Sequence, residues 1–130
     1  MGATIPLFSG ATGKVFLSGE NKEKASGLIK KYGLPRYTSQ TITDEQEYLL
    51  ELERVDAQGY AVDIEEYLPG IKAVAVALNN RRGLPAALWV VGMSANMDDE
   101  KIRWIAGIVK EKAEKLRIDL DEGKYRRTLG

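Results

Sequence analysis

The stretch that decides the fold runs from residue 71 to residue 91 and reads IKAVAVALNNRRGLPAALWVV. Two apolar runs, Ile71 to Leu78 and Ala86 to Val91, lie on either side of a polar connection made of asparagines, arginines and a glycine. Apolar runs of this length with such a connection are typical of a β-hairpin. We therefore predict two antiparallel strands joined through residues 79–83.

The two faces of this hairpin differ in side-chain size, because alternate residues of a strand point to opposite sides of the sheet. The first strand has Val74, Val76 and Leu78 on one face, and Ile71, Ala73, Ala75 and Ala77 on the other. On the second strand, Trp89 and Val91 share a face with Ala87. Protein interiors contain few voids, so the alanine face leaves two interpretations open. Either a helix backbone approaches closely there, or the alanines border a ligand cavity with Trp89 as an aromatic wall and Asp63 near its mouth.

Two helices are predicted near the start of the chain. The first covers Ala11 to Leu17, after a turn bracketed by Gly10 and Gly13. The second follows Asn21, a favourable N-cap, and continues to about Tyr32. Before both helices, residues 4–8 are short and apolar with a proline inside, which indicates an edge strand or an extended entry segment.

A third helix is predicted to begin at Thr43. The threonine side chain can accept hydrogen bonds from free amides, and Gln46 completes the spacing of a capping box. The helix is predicted to end at Gly59 and to bury one face, which comprises Tyr48, Leu49, Leu52 and Val55. The segment from Tyr37 to Ile42 is predicted to be extended or irregular, and the segment from Tyr60 to Asp63 to be a strand.

A long final helix is predicted from Asp98 or Asp99 onward. Its apolar residues recur at spacings of three and four: Ile102, Ile105, Ile108, Val109, Ala113 and Leu116. The order strand, helices, strand, hairpin and long helix does not alternate as in a doubly wound parallel sheet. The sequence therefore predicts an α/β (α+β) fold with an antiparallel sheet and helices packed on one side.

Composition excludes several classes of function. The 130 residues, 44% of them hydrophobic, suit one domain, and the 19 basic and 19 acidic residues give no overall field for nucleic acid or anionic membranes. The chain has no histidine and no cysteine, so serine triads, thiolate nucleophiles and histidine or thiolate metal sites are impossible. We predict no catalytic residue, no metal site and no cofactor. The apolar runs are too short to span a membrane, and the expected location is the cytoplasm.

Acidic residues follow the predicted strand at residues 60–63. Asp63, Glu65 and Glu66 could together bind a divalent cation or supply an acid and a base. No matching ligands lie close by in sequence, so Glu65 and Glu66 are interpreted as solvated loop charges. Asp63, at a strand end beside the possible cavity, is the stronger functional candidate. Residues 124–130 are interpreted as a basic C-terminal tail that is too short to indicate nucleic-acid binding by itself.

Three ordered stretches of the sequence resemble one known family. They are the stretch from Pro6 to Ser18 with its Gly-Ala-Thr-Gly-Lys turn, the segment from Tyr37 to Ile42, and the stretch from Glu51 through Tyr60-Ala61-Val62-Asp63 to Gly70. Together they resemble the effector-binding (C-terminal) domain of IclR-family bacterial transcriptional regulators. The resemblance covers residues 1–123 and implies a GAF/PAS-like sheet domain that is partial at its N-terminus, because the strands that usually precede the Pro-Leu motif are missing.

The resemblance also implies where an effector would bind. Family members that bind small oxoacids use positions that correspond here to the turn Ala11, Thr12 and Gly13, to Asp63 and Ala73, and to Trp89 with Val91. The family often has cysteine or serine where this chain has Ala73, Trp89 and Val91, so most hydrogen bonds to a small carboxylate are lost. An aromatic or otherwise apolar acid is therefore expected in place of a glyoxylate-like effector.

The resemblance implies a non-enzymatic sensor that controls the DNA binding of a winged helix-turn-helix domain absent from this sequence. A homodimer or homotetramer is expected, with DNA contacted only through that absent domain. The alternative is a homo-oligomerisation module with a vestigial pocket filled by its own side chains. An enzyme is the third possibility, because catalysis would have only Asp63 and Glu65 as its acid and base.

Overall fold

The computed structural model describes residues 10–78 and 86–122. Within them the elements, in chain order, are α1 (Gly10–Ser18), α2 (Lys22–Tyr32), α3 (Glu45–Gln58), β1 (Ala61–Ile64), β2 (Ile71–Ala77), β3 (Ala87–Met93), a 3₁₀ turn (Ser94–Asn96) and α4 (Asp99–Asp121). The predicted segment at residues 4–8, the hairpin connection at residues 79–83 and the tail at residues 124–130 lie outside the described residues.

The three strands form one antiparallel sheet in the order β1-β2-β3. Cross-strand pairing aligns Asp63 with Ala73 and Ala73 with Val91, which makes one row across the sheet. The neighbouring row is Ala61, Ala75 and Trp89. The antiparallel pairing of β2 with β3 confirms the predicted strands of the hairpin, and this register fixes which residues share a face.

Helices cover both faces of the sheet. The valine face of β2 packs on α4, where Val74 contacts a cluster that includes Ile102 and Ala106. The alanine face packs on α1, where Ala73 and Ala75 contact Ala11 and Val15. The prediction of helices on one side is correct for α1 and α3, but α4 lies on the opposite face. The bulky side chains of β2 on that face explain the difference, since they are apolar and need their own cover.

The helix α2 lies outside the sheet and packs on α1 and α3. Its apolar residues join those of the two other helices in one cluster of buried side chains: Leu17, Ala25, Ile29, Tyr48, Leu49 and Leu52. The buried face predicted for the third helix is thereby confirmed. This cluster holds α3 beside α1.

Helix ends follow local capping chemistry. Asn21 caps α2 by accepting a hydrogen bond from the Lys24 N–H at 2.7 Å, as the sequence predicts. Helix α3 is instead capped by Asp44, whose carboxylate accepts from the Glu47 N–H at 2.9 Å, so the prediction of Thr43 as cap is wrong by one residue. In α4, Ile108 is 38% exposed and does not belong to the buried face on which it was predicted.

Candidate functional site

The residues predicted to bind an effector fall into two groups on one face of the sheet. Asp63, Ala73 and Val91 form one cross-strand row, and Trp89 belongs to the next. The turn predicted at Ala11, Thr12 and Gly13 is the first turn of α1, which packs on the same face. The structure thus places all seven residues on the α1 side of the sheet, but it buries some and exposes others.

The alanine part of this face is closed. Ala73 is 3% exposed and Ala75 is fully buried, because Ala11 and Val15 of α1 lie directly against them. Small residues on both sides allow the helix and the sheet to approach closely. The interpretation of a close helix therefore holds for these two alanines, and the interpretation of a hollow beside them is wrong.

The part of the face that lies along β3 is open. Trp89, Val91 and Met93 point to the same side of the strand and are 52%, 44% and 63% exposed. Within the described residues, β3 is an edge strand of the sheet. The aromatic wall predicted at Trp89 is accordingly accessible, in contrast to the alanines next to it.

One flank of α1 borders this open strip. Lys14 points to the flank that contacts α3, and helical geometry places Thr12 and Phe16 on the opposite flank, towards β3. Phe16 is 41% exposed and Thr12 is partly buried. Phe16 could not be predicted from the sequence, because its position relative to the strip depends on which flank of α1 meets α3. We define the open strip as Thr12, Phe16, Trp89 and Val91.

Asp63 lies at the other end of its cross-strand row, beside the first turn of α1. Its side chain is only 6% exposed, and its Oδ1 accepts a hydrogen bond from the Glu66 N–H at 2.7 Å. A Cβ placed on Gly10, which has φ +72°, would be 3.2 Å from Asp63 Oδ2. The Asp63 carboxylate is therefore the anion that faces the positive end of the α1 dipole.

Burial raises the pKa of the Asp63 carboxyl above its ordinary value. Three interactions act against this rise: the hydrogen bond from the Glu66 N–H, the positive charge of Lys14, and a hydrogen bond from the backbone of Tyr67. Burial likewise raises the pKa of the Glu66 carboxyl, again opposed by Lys14. Both carboxyls are thus held in a partly dry environment in which Lys14 favours their ionised form.

Lys14 is almost completely buried and connects four parts of the fold. Its Nζ donates to Glu51 of α3 at 2.8 Å, to the Val62 carbonyl of β1 at 2.7 Å and to Glu66 of the following loop at 2.9 Å. Lys14 is 1% exposed, and the side chains of Glu51 and Glu66 are 17% and 12% exposed. The interpretation of Glu66 as a solvated loop charge is therefore wrong.

The loop after β1 is tied down by further hydrogen bonds. The Thr38 and Thr41 hydroxyls donate to the carbonyls of Glu65 and Glu66, each at 2.6 Å. The Glu65 carboxylate accepts from the Gly70 N–H at 2.6 Å, so it closes the turn in which it lies and is not a free surface charge. The irregular segment predicted at residues 37–42 is confirmed, and its function is to anchor this loop.

Metal binding and membrane insertion are two further possibilities for the described parts of the chain. No group of three or more acidic side chains there has an arrangement that could hold a metal ion. Over the same residues, no helix combines the length and the apolar character that a membrane crossing requires.

Comparison with known proteins gives the family. A family model described as "Bacterial transcriptional regulator IclR C-terminal" matches residues 1–118. The p-hydroxybenzoate hydroxylase transcriptional activator of Acinetobacter baylyi is 40% identical over 87 residues, which are 67% of this chain and 32% of that protein. The HTH-type transcriptional repressor AllR of Salmonella typhi is 29% identical over 121 residues, or 92% of this chain and 44% of that protein. The chain thus spans less than half the length of these relatives.

Solved structures share the fold. The inducer-binding domain of a PobR double mutant from Acinetobacter, in complex with 3-hydroxybenzoic acid, superposes with a TM-score of 0.82 at 34% identity over 90% of this chain and 68% of that one. The Thermotoga maritima IclR structure gives a TM-score of 0.83 at 33% identity over 93% of this chain and 49% of that one. Together with the family match, these similarities show that the chain belongs to the IclR family of bacterial transcriptional regulators and corresponds to their C-terminal effector-binding domain.

Proposed function

We propose that this domain senses a small aromatic acid, which binds on the open strip between α1 and β3. Binding would be transmitted to the DNA-binding part of an IclR-type regulator in the cytoplasm. The observation that carries the proposal is the exposure of Trp89, at 52%, on the same face as the first turn of α1. A large aromatic side chain in such a position offers a flat apolar surface beside polar groups.

The strip favours a flat ring over a compact oxoacid. Trp89 can stack on an aromatic ring and Val91 can cover its edge, while Phe16 lies on the α1 flank that borders them. Aromatic pairs contribute about 0.5–1.5 kcal/mol beyond the burial of apolar area. The complex of the related PobR domain with 3-hydroxybenzoic acid supports this class of effector.

Charge favours one orientation of such an acid. Among the described residues on the Asp63 side there are three carboxylates, those of Glu51, Asp63 and Glu66, against two cations, Lys14 and Arg54. The carboxylate of an effector would be repelled from this side, and the first turn of α1 already faces the Asp63 carboxylate. We therefore propose that the effector carboxylate lies towards the Thr12 hydroxyl, away from Asp63.

Fluorescence titration tests this site. We expect 3-hydroxybenzoate to change the emission of Trp89 saturably, and cyclohexanecarboxylate, which has no aromatic ring, to bind more weakly. Trp89→Ala should abolish binding measured by calorimetry. The matched control is Trp104→Ala, which removes the tryptophan of α4, 62% exposed, and should leave binding intact. Equal binding by the parent and by Trp89→Ala would contradict the proposal.

Transmission of the signal requires a differential effect on assembly. An effector shifts an equilibrium only by the difference between its affinities for the two states. We propose that occupation of the strip favours one subunit arrangement of a homodimer or homotetramer. Sedimentation at several concentrations, with and without 3-hydroxybenzoate, should show a ligand-dependent association constant.

A homo-oligomerisation module is the second candidate function. The observation that favours it is the apolar row Trp89, Val91 and Met93 on an edge strand, because exposed apolar edges promote association. This candidate predicts a stable dimer that no aromatic acid affects. A dimer lost in Trp89→Ser and insensitive to every acid tried would favour it over sensing.

A further inference from the structure

We infer that Lys14 is a positioning residue of the effector site, acting through Glu66 on Asp63. The inference rests on the proposed function for its link to binding, but its structural core is independent of any effector. Lys14 does not belong to the open strip, and the ion pairs described above place it on the α3 flank of α1. Its influence on the site must therefore pass through the groups that it holds.

The chain of contacts is short. Lys14 Nζ lies 2.8 Å from Glu66 Oε1, and Glu66 Oε2 accepts a hydrogen bond from the Ile64 N–H at 3.0 Å. These contacts fix the side chain of Glu66 beneath its own loop. The Glu66 backbone N–H then donates to Asp63 Oδ1 at 2.7 Å. Lys14 thus fixes the conformation in which this amide holds the Asp63 carboxylate beside α1.

Removal of Lys14 affects its two acidic partners differently. Glu51 keeps a second cation, because Arg54 NH1 lies 3.1 Å from Glu51 Oε1. Among the described residues, Lys14 is the only cation paired with Glu66. A buried carboxylate that loses its only cation must either take up a proton or move to solvent. We expect a Glu66 side chain that moves to solvent to draw its own amide away from Asp63, which changes the polar end of the cross-strand row.

Amide hydrogen exchange resolved by NMR tests the structural core. In the parent chain the Glu66 amide should exchange slowly. In Lys14→Met its protection should fall while the amide of Val74, in the central strand, stays protected, which separates a local change from global unfolding. Unchanged protection at Glu66 in a folded Lys14→Met variant would overturn the inference.

A double variant supplies the rescue. Lys14→Met with Glu66→Gln removes the uncompensated charge and retains a side-chain carbonyl that can accept from the Ile64 N–H. Protection of the amide at residue 66 should return to the parent level. The double variant also covers the case in which Lys14→Met alone does not fold, since it removes the Glu66 carboxylate that Lys14 neutralises. A folded double variant without that protection would overturn the inference.

Binding of 3-hydroxybenzoate tests the link to the site. We expect Lys14→Met to weaken binding about tenfold, as is usual for a residue that acts on a site through its neighbours, and the double variant to recover it. The matched control is Lys24→Met, which removes an exposed lysine from α2. If Lys14→Met binds 3-hydroxybenzoate as tightly as the parent does, although its Glu66 amide exchanges faster, the link between Lys14 and binding is overturned. If the parent binds no aromatic acid, the proposed function fails, and the exchange experiment still decides the role of Lys14.

Discussion

The two ends of the sheet face that packs on α1 differ in burial and in hydrogen bonding. At the β1 end, Asp63, Lys14 and Glu66 are buried and held by several hydrogen bonds each. At the β3 end, the side chains of Trp89 and Val91 are apolar and about half exposed. The first end is specified by the protein alone, and the second leaves surface that another molecule can cover. A polar frame, made of Lys14, Asp63 and Glu66, thus lies beside an accessible apolar surface, on which we propose that the effector binds.

The strongest way to break this contrast is to remove Lys14. We expect Lys14→Met to lower the free energy of unfolding by about 3–5 kcal/mol, because a buried carboxylate loses its cation. Lys24→Met, which breaks an ion pair between side chains 58% and 39% exposed, should cost about 0.5 kcal/mol or less. Urea unfolding measures both. If Lys14→Met lowers the free energy of unfolding as little as Lys24→Met does, the buried ion pairs of Lys14 do not hold this end of the sheet.

A pair of leucine substitutions compares packing in neighbouring rows. Ala75→Leu inserts a large side chain where α1 touches the sheet and should cost about 1–3 kcal/mol. Val91→Leu, on the open strip, should change stability by no more than about 0.5 kcal/mol. Thermal and urea unfolding of the two variants decide the matter. Tolerance of leucine at residue 75 would mean that the alanine face is hollow after all.

We expect truncation of the Trp89 side chain to destabilise the domain less than the size of that side chain suggests. Because half of its surface is already in contact with water, Trp89→Ala should cost about 1 kcal/mol or less, well below the roughly 3–5 kcal/mol typical of a buried tryptophan. Urea unfolding of the parent and the variant provides the comparison. A cost in the range for buried tryptophans would place Trp89 in the core and remove it as a binding surface.

The smallest expected effect is a pH dependence at Asp63. Its pKa in the folded protein is raised above 3.8, so the folded state binds more protons than the unfolded state between these two values. Relative to Asp63→Asn, the parent should therefore lose stability as pH rises from about 3.8 through the folded pKa. Unfolding measured across this window tests the sign. A parent that gains stability over Asp63→Asn in the same window would contradict the assigned burial.

Local chemistry explains what could be predicted from the sequence. The N-cap Asn21 and the alternation of alanine and valine in β2 depend on near neighbours, and both predictions are confirmed. The start of α3 was missed by one residue because Thr43 and Asp44 are equally good caps on local grounds. At both helix caps the deciding contact lies within four residues.

Long-range contacts explain the errors at the site. The Lys14–Glu66 pair joins residues 52 positions apart, so nothing near Glu66 in the sequence indicates that it is buried. The closure of the alanine face by α1 depends in the same way on distant residues. The family resemblance indicated positions, but only the structure shows that Ala73 is covered and Trp89 is accessible.

The most direct measurement is a map of backbone amide shifts during titration with 3-hydroxybenzoate. We expect saturable shifts that are largest at Thr12, Phe16, Trp89 and Val91, and little change at Ile108 on the outer side of α4. Shifts confined to α4, or spread evenly over the domain, would contradict a binding surface between α1 and β3.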